Sequence, residues 1–225
     1  MPILPPEPMI YPDYLLDDPS PDTRRAERPI TTPLYPVDDD RARWFVAHTR
    51  PRQEKALARY LFARKIAYFA PQYTRPQTPD RRAPKSRLPL FAGYLFIKTD
   101  DAGRAEALQS NRIAAPLDVA DQARLIDDLR RVRRLVDTQL PLYPEERLQP
   151  GKPVRIVYGP LAGLEGLIAG RSGTHRFIVA VDFIQQGVSV QVDARAVEPI
   201  DGTPHPPPTT PPRPLAGGMR HAITV

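Results

Sequence analysis

The chain has 225 residues, of which 30 are proline and none is cysteine, and its formal net charge is +6. Without cysteine there is no disulfide framework, thiolate metal site or cysteine nucleophile, and no apolar run reaches the roughly 18 residues of a membrane helix. Residues 1–20 carry acids and prolines instead of a basic start and an apolar block, so no secretory signal is expected and the cytoplasm is the expected compartment.

Ten prolines fall in residues 1–40 and seven in residues 201–225. Both ends are therefore expected to be disordered, Pro-rich arms. Residues 41–200 are long enough for one or two small domains with real cores. The charge is unevenly spread. Residues 1–40 hold three arginines against nine acids, whereas residues 41–87 hold thirteen Lys or Arg against Glu54 and Asp80. Residues 88–138 and 139–200 are each balanced. Cations clustered beside a core suit a polyanion, most simply nucleic acid. A solvated basic face accounts for the same run equally well.

Arg43 to Thr49 (RWFVAHT) alternates as a strand does. Pro51 and Glu54 suit a first helical turn, and Leu57, Tyr60 and Leu61 keep one apolar face of a helix running to about Lys65. Residues 67–70 form a second strand, stopped by Pro71. Residues 72–87 read as a long basic loop. Leu88 to Lys98 (LPLFAGYLFIK) is the densest apolar run, and Thr99-Asp100-Asp101 can cap a short helix through about Gln109. Residues 113–116 make at best a brief strand. Asp118 or Asp121 opens a further helix, with Leu125, Ile126, Leu129, Val132 and Val136 in helical period and four arginines near its C-terminus.

Residues 139–150 read as a proline-stiffened linker. The texture then turns to short β segments at 154–157, 164–169, 176–181, 188–193 and 197–200, separated by glycine-containing turns. Five such segments in about fifty residues suggest a small barrel. The α+β organisation expected is thus an acidic arm over 1–40, a sheet-and-helix domain over 41–138, a linker over 139–150, a barrel over 151–200 and a tail over 201–225.

Two motif sets carry a family likeness. The first is Trp44-Phe45 ahead of Arg50-Pro51-x-x-Glu54, followed by Pro89-Leu90-Phe91-Ala92-Gly93-Tyr94-Leu95-Phe96. It resembles the N-terminal (NGN) domain of the NusG family of transcription elongation factors. The second, Gly151-Lys152-Pro153-Val154-Arg155-Ile156-Val157 with Gly159-Pro160-Leu161-Ala162-Gly163-Leu164-Glu165-Gly166, resembles the KOW motif that opens the SH3-like barrel of the same family. The resemblance covers about 41–200, in the family's order. Ala92 stands where the family usually has proline, and Gln185-Gln186-Gly187-Val188-Ser189 replaces the F-G-R-x-T-P of the housekeeping factor. These departures look like a specialised antiterminator of the RfaH-like type.

The resemblance implies a non-enzymatic, cofactor-free role in transcription elongation and antitermination. Val46, His48, Phe91, Tyr94 and Phe96 would contact the clamp helices of RNA polymerase's largest subunit. Arg50, Arg52, Lys55, Arg59 and Arg112 would face the non-template single-stranded DNA. The barrel would recruit a second partner, a ribosomal protein or Rho, and the protein would act as a monomer. An RNA- or ribosome-binding KOW protein is the alternative.

Read without the family, Tyr94 and Phe96 share one strand face, with Phe91 and Leu95 on the other. A wholly core role for all four fits the dense apolar run. Arginine suits single-stranded DNA because it pairs with phosphate and stacks on bases. Gly159, Gly163 and Gly166 read as turn and close-approach positions, and without an adjacent Lys-Ser/Thr they are no P-loop. His48, His175, His205 and His221 form no ligand-spaced pair, and no serine sits in a nucleophile elbow.

Overall fold

In the computed structural model, residues 8–17, 33–37, 40–74, 87–147, 151–171 and 174–200 are described. The expected tail over 201–225, most of the expected acidic arm over 1–40 and most of the expected basic loop lie outside them. The first sheet contains β1 (Ile10–Tyr11), β2 (Arg43–Thr49), β3 (Ala67–Phe69), β6 (Tyr94–Thr99) and β7 (Ile113–Asp118), in the order β1-β3-β6-β2-β7. Every neighbouring pair in it is antiparallel. A separate hairpin joins β4 (Gln72–Thr74) to β5 (Arg87–Pro89), so the two ends of the expected loop are paired strands.

Strand alternation divides the side chains of this sheet between two cores. Phe45, Ala47, Tyr68, Leu95 and Ile97 pack with Leu57, Ala58 and Leu61 of α1 (Glu54–Ala63) and Ala107 of α2 (Asp101–Gln109). Trp44, Val46, Phe69 and Phe96 face the other way, in one cluster with Leu125, Leu129, Val132 and Leu135 of α3 (Gln122–Asp137). A side-chain amide fixes α3 to β2. Gln122 accepts from the Trp44 amide at 2.7 Å and donates to the Trp44 carbonyl at 2.8 Å.

The helix boundaries follow from local chemistry. The Asp100 carboxylate caps α2 by accepting from the Gly103 amide at 2.9 Å, and Asp121 caps α3 by accepting from Arg124 at 3.0 Å. The three α-helices among the described residues end on a non-glycine left-handed residue: Lys65, Asn111 and Gln139 have φ of 54°, 55° and 56°. After α1 the Ile66 amide reaches back to the Leu61 carbonyl at 3.0 Å and the Lys65 amide to that of Phe62 at 3.0 Å, the paired bonds of a Schellman stop. Tyr60 of α1 donates to Glu106 of α2 at 3.0 Å; burial, then this bond, raises the phenol pKa above its ordinary value.

Residues 143–200 supply a six-stranded antiparallel sheet in the order β13-β9-β10-β11-β12-β8. Its strands are β8 (Tyr143–Glu145), β9 (Lys152–Ile156), β10 (Glu165–Arg171), β11 (Thr174–Val181), β12 (Gln186–Val192) and β13 (Val197–Pro199). The five expected strands are present. The sixth, β8, comes from the segment expected to be linker, because Tyr143, Pro144 and Glu145 find partners on β12. Phe177, Val179, Val181, Val188 and Val190 join the same cluster as α3, so α3 lies between the two sheets. Asp128 of α3 is 1% exposed, pairs with Arg131 at 2.5 Å and accepts from the Asp182 amide at 3.1 Å. Arg124 pairs with Asp182.

Gly159 and Gly163 have φ of +90° and +81° and turn the chain between β9 and β10. Gly166 serves a different need: a β-carbon there would stand 2.5 Å from the Ile178 carbonyl oxygen and 2.7 Å from the Phe177 ring. Gly166→Ala is expected to cost about 1–3 kcal/mol by overpacking, read as a lower chemical-denaturation midpoint.

The expectation of a disordered arm fails at residues 8–17. Residues 8–17 belong to the fold: β1 is an edge strand, and Tyr11 and Leu16 are each only 4% exposed. Proline density misleads here because Ile10 and Tyr11 can pair with β3 while the prolines stay outside the ladder.

Candidate interface at one end of the first sheet

β2 ends in a register shift between His48 and Thr49. The chain then turns sharply, with the Arg50 amide donating to the Arg112 carbonyl at 2.8 Å and the Gln53 amide to the Arg50 carbonyl at 3.1 Å. Arg52 sits in the left-handed region, φ 60°, and α1 begins only at Glu54. Arg50 and Arg52 therefore project from a turn and not from the expected helix; a left-handed residue cannot continue a right-handed helix. Both are exposed. Exposed Arg59 lies on α1 itself.

Two of the expected cations have structural tasks. Arg112 donates to the Gln53 side chain, tying the turn to the start of β7. The Lys55 ammonium donates to the Arg87 carbonyl and anchors the β4–β5 hairpin. The cationic surface at this end is led by Arg50 and Arg52, with Arg59 on the adjoining helix.

Next to them lies an aromatic pair. His48 and Tyr94 are cross-strand partners, half-buried, with ring centroids 5.2 Å apart and planes inclined at 38°. Gly93 holds the turn before Tyr94 at φ +83°. Its carbonyl accepts from the Thr49 amide at 2.8 Å, and its amide donates to the Glu54 carboxylate at 2.7 Å. Glu54, Lys55, Pro71, Gln72, Pro89 and Tyr94 line a small cleft beside the pair. Glu54 was legible as a helix-start acid, but its bond to Gly93 is a long-range contact that sequence does not reveal.

The other three expected contact residues are closed off. Val46 and Phe96 are 0% exposed and Phe91 is 1% exposed. Phe91 meets Phe96 edge-on at 5.8 Å, so the expectation that it faces away from Phe96 is wrong. Phe91 precedes the turn, β6 starts at Tyr94, and strand alternation does not carry back across a turn. Among the described residues, no three His, Cys, Asp or Glu side chains are grouped to hold a metal ion, and no helix is long and apolar enough to cross a membrane.

Residues 42–149 match the family model described as "Transcription termination factor nusG". A solved structure described as "Domain interaction in Thermotoga maritima NusG" aligns with 71% of this chain and 98% of its own, at 19% identity and a TM-score of 0.40. No curated protein matches the chain significantly.

Proposed function

We propose that this chain, whose residues 42–149 form a NusG-family domain, works as an operon-selective transcription antiterminator that binds RNA polymerase. The family consists of transcription factors rather than enzymes, and differential binding to a closed polymerase is sufficient for the role. The observation that carries the reading is the half-buried His48–Tyr94 pair beside exposed Arg50 and Arg52. An amphipathic ring with one open edge suits an anchor in an apolar interface. Arginines next to it suit a displaced non-template strand, by phosphate pairing and base stacking. In this reading the clamp helices of the largest subunit meet Tyr94 and His48, with Val46, Phe91 and Phe96 beneath. Lys55, Arg59 and Arg112 flank the DNA contact. The second sheet serves as an SH3-like KOW barrel that recruits a further partner, a ribosomal protein or Rho.

Titration of purified core polymerase tests the reading. Tyr94→Ala is expected to weaken binding by about 2 kcal/mol, roughly 30-fold, and the melting of the variant separates that loss from the packing the ring gives up on the core. Unchanged affinity overturns it. Binding of single-stranded DNA is expected to fall with salt, and Arg50→Ala with Arg52→Ala should flatten the log–log slope by about 0.7 for each phosphate no longer neutralised.

A further inference from the structure

Residues 8–17 run from the edge of the first sheet to α3. β1 pairs with β3 through Ile10↔Phe69 and Tyr11↔Tyr68, and the Ala70 amide donates to the Met9 carbonyl at 2.7 Å. Tyr11 turns toward α1, its ring edge-on to Phe62 at 5.3 Å. Ile10 turns the other way and packs on the cluster that holds Phe69, Phe91 and Phe96. A turn follows, closed by Leu15 N–H to the Pro12 carbonyl at 3.1 Å. Leu16 is then buried in that same cluster with the inner face of α3. The end of the segment is tied to α3: the Arg130 guanidinium donates to the Leu16 and Asp17 carbonyls, each at 3.1 Å, and Arg133 to the Asp17 carboxylate at 3.0 Å. The segment thus bridges the β3 edge and α3, with Ile10 and Leu16 in the apolar cluster that also holds Phe91 and Phe96.

We propose that residues 8–17 are a displaceable cover of the aromatic face, seated in the free protein and lifted when polymerase docks. The proposal deepens the polymerase reading and rests on it for the identity of the incoming partner. Three features separate this cover from permanent core. Its ladder is a strand of two residues at a sheet edge. The Asp17 side chain is 50% exposed, so its ion pair with Arg133 is weak and screened by salt. The Tyr11 hydroxyl is buried without a hydrogen-bond partner among the described residues, a penalty that release removes. An incoming apolar helix would bury the surface that the cover vacates, so the exchange keeps the hydrophobic gain.

A disulfide lock in the full chain tests it. The protein has no cysteine, and the Met9–Ala70 hydrogen bond sets those residues opposite each other at about the 5.5 Å Cα separation that a disulfide spans. In Met9→Cys with Ala70→Cys, the oxidised form is expected to bind purified core polymerase at least 10-fold more weakly than the reduced form of the same preparation. Asp17→Arg, which sets like charge against Arg130 and Arg133, is expected to bind at least 3-fold more tightly than the unaltered chain. Anilinonaphthalene sulfonate fluorescence reads the cover without polymerase: it should be higher in Asp17→Arg than in the unaltered chain, whose cover is seated. Equal dye uptake in Asp17→Arg and the unaltered chain, or equal polymerase affinity in the oxidised and reduced lock, overturns the cover. If dye uptake rises in Asp17→Arg while no form binds polymerase, the cover stands and the polymerase reading falls.

Discussion

Replacing Phe96 by alanine is expected to cost about 3–5 kcal/mol of stability. The ring is 0% exposed, on a strand hydrogen-bonded on both sides. It contacts Phe91 at 5.8 Å and Phe69 at 6.4 Å, so truncation leaves a cavity walled by rigid rings that cannot collapse into it. Chemical denaturation followed by tryptophan fluorescence suits the measurement, because Trp44 sits in the same cluster. A Phe96→Ala protein as stable as the parent would mean that the ring is not core. Tyr94→Ala provides the contrast. Both side chains lie on one strand face, yet the larger stability loss should fall at Phe96 and the larger binding loss at Tyr94.

The second large effect is expected at Asp128. Its carboxylate is buried between α3 and the second sheet, held by Arg131 and by the Asp182 amide. Asp128→Ala removes the carboxylate that accepts from the Arg131 guanidinium and from the Asp182 amide, at a cost of about 3 kcal/mol. That is the low end for a buried pair, because the Arg131 side chain keeps 19% of its exposure. Asp128→Asn retains an acceptor oxygen and should cost less. Hydrogen exchange locates the effect: the Asp182 amide should exchange faster in Asp128→Ala, and unaltered protection there would show that this bond does not hold the second sheet to α3.

Much of the architecture was legible from local signals. The helix starts were legible at Thr99-Asp100-Asp101 and at Asp118 or Asp121, because capping involves only neighbouring residues; Asp100 and Asp121 make the caps. The valine-rich segments of the second sheet read as strands because their alternation is complete within each one. What escaped detection depends on partners distant in sequence. Tyr143–Glu145 is a strand only because β12 offers an edge, and Ile10–Tyr11 only because β3 does. Arg50 and Arg52 looked helical, since Pro51 and Glu54 are ordinary first-turn residues, but the left-handed Arg52 delays α1 to Glu54. In the candidate site, the cations and aromatics could be named from sequence. Their division into exposed and buried members could not, because α3 and residues 8–17 decide it from far along the chain.

Whether Tyr94 touches the polymerase can be decided by photo-crosslinking. A benzophenone amino acid placed at position 94 of the full chain would be irradiated with assembled elongation complexes at near-physiological salt. A cross-link to the largest polymerase subunit is expected, strengthened by Asp17→Arg. Cross-links to a ribosomal protein with none to polymerase would contradict the polymerase reading.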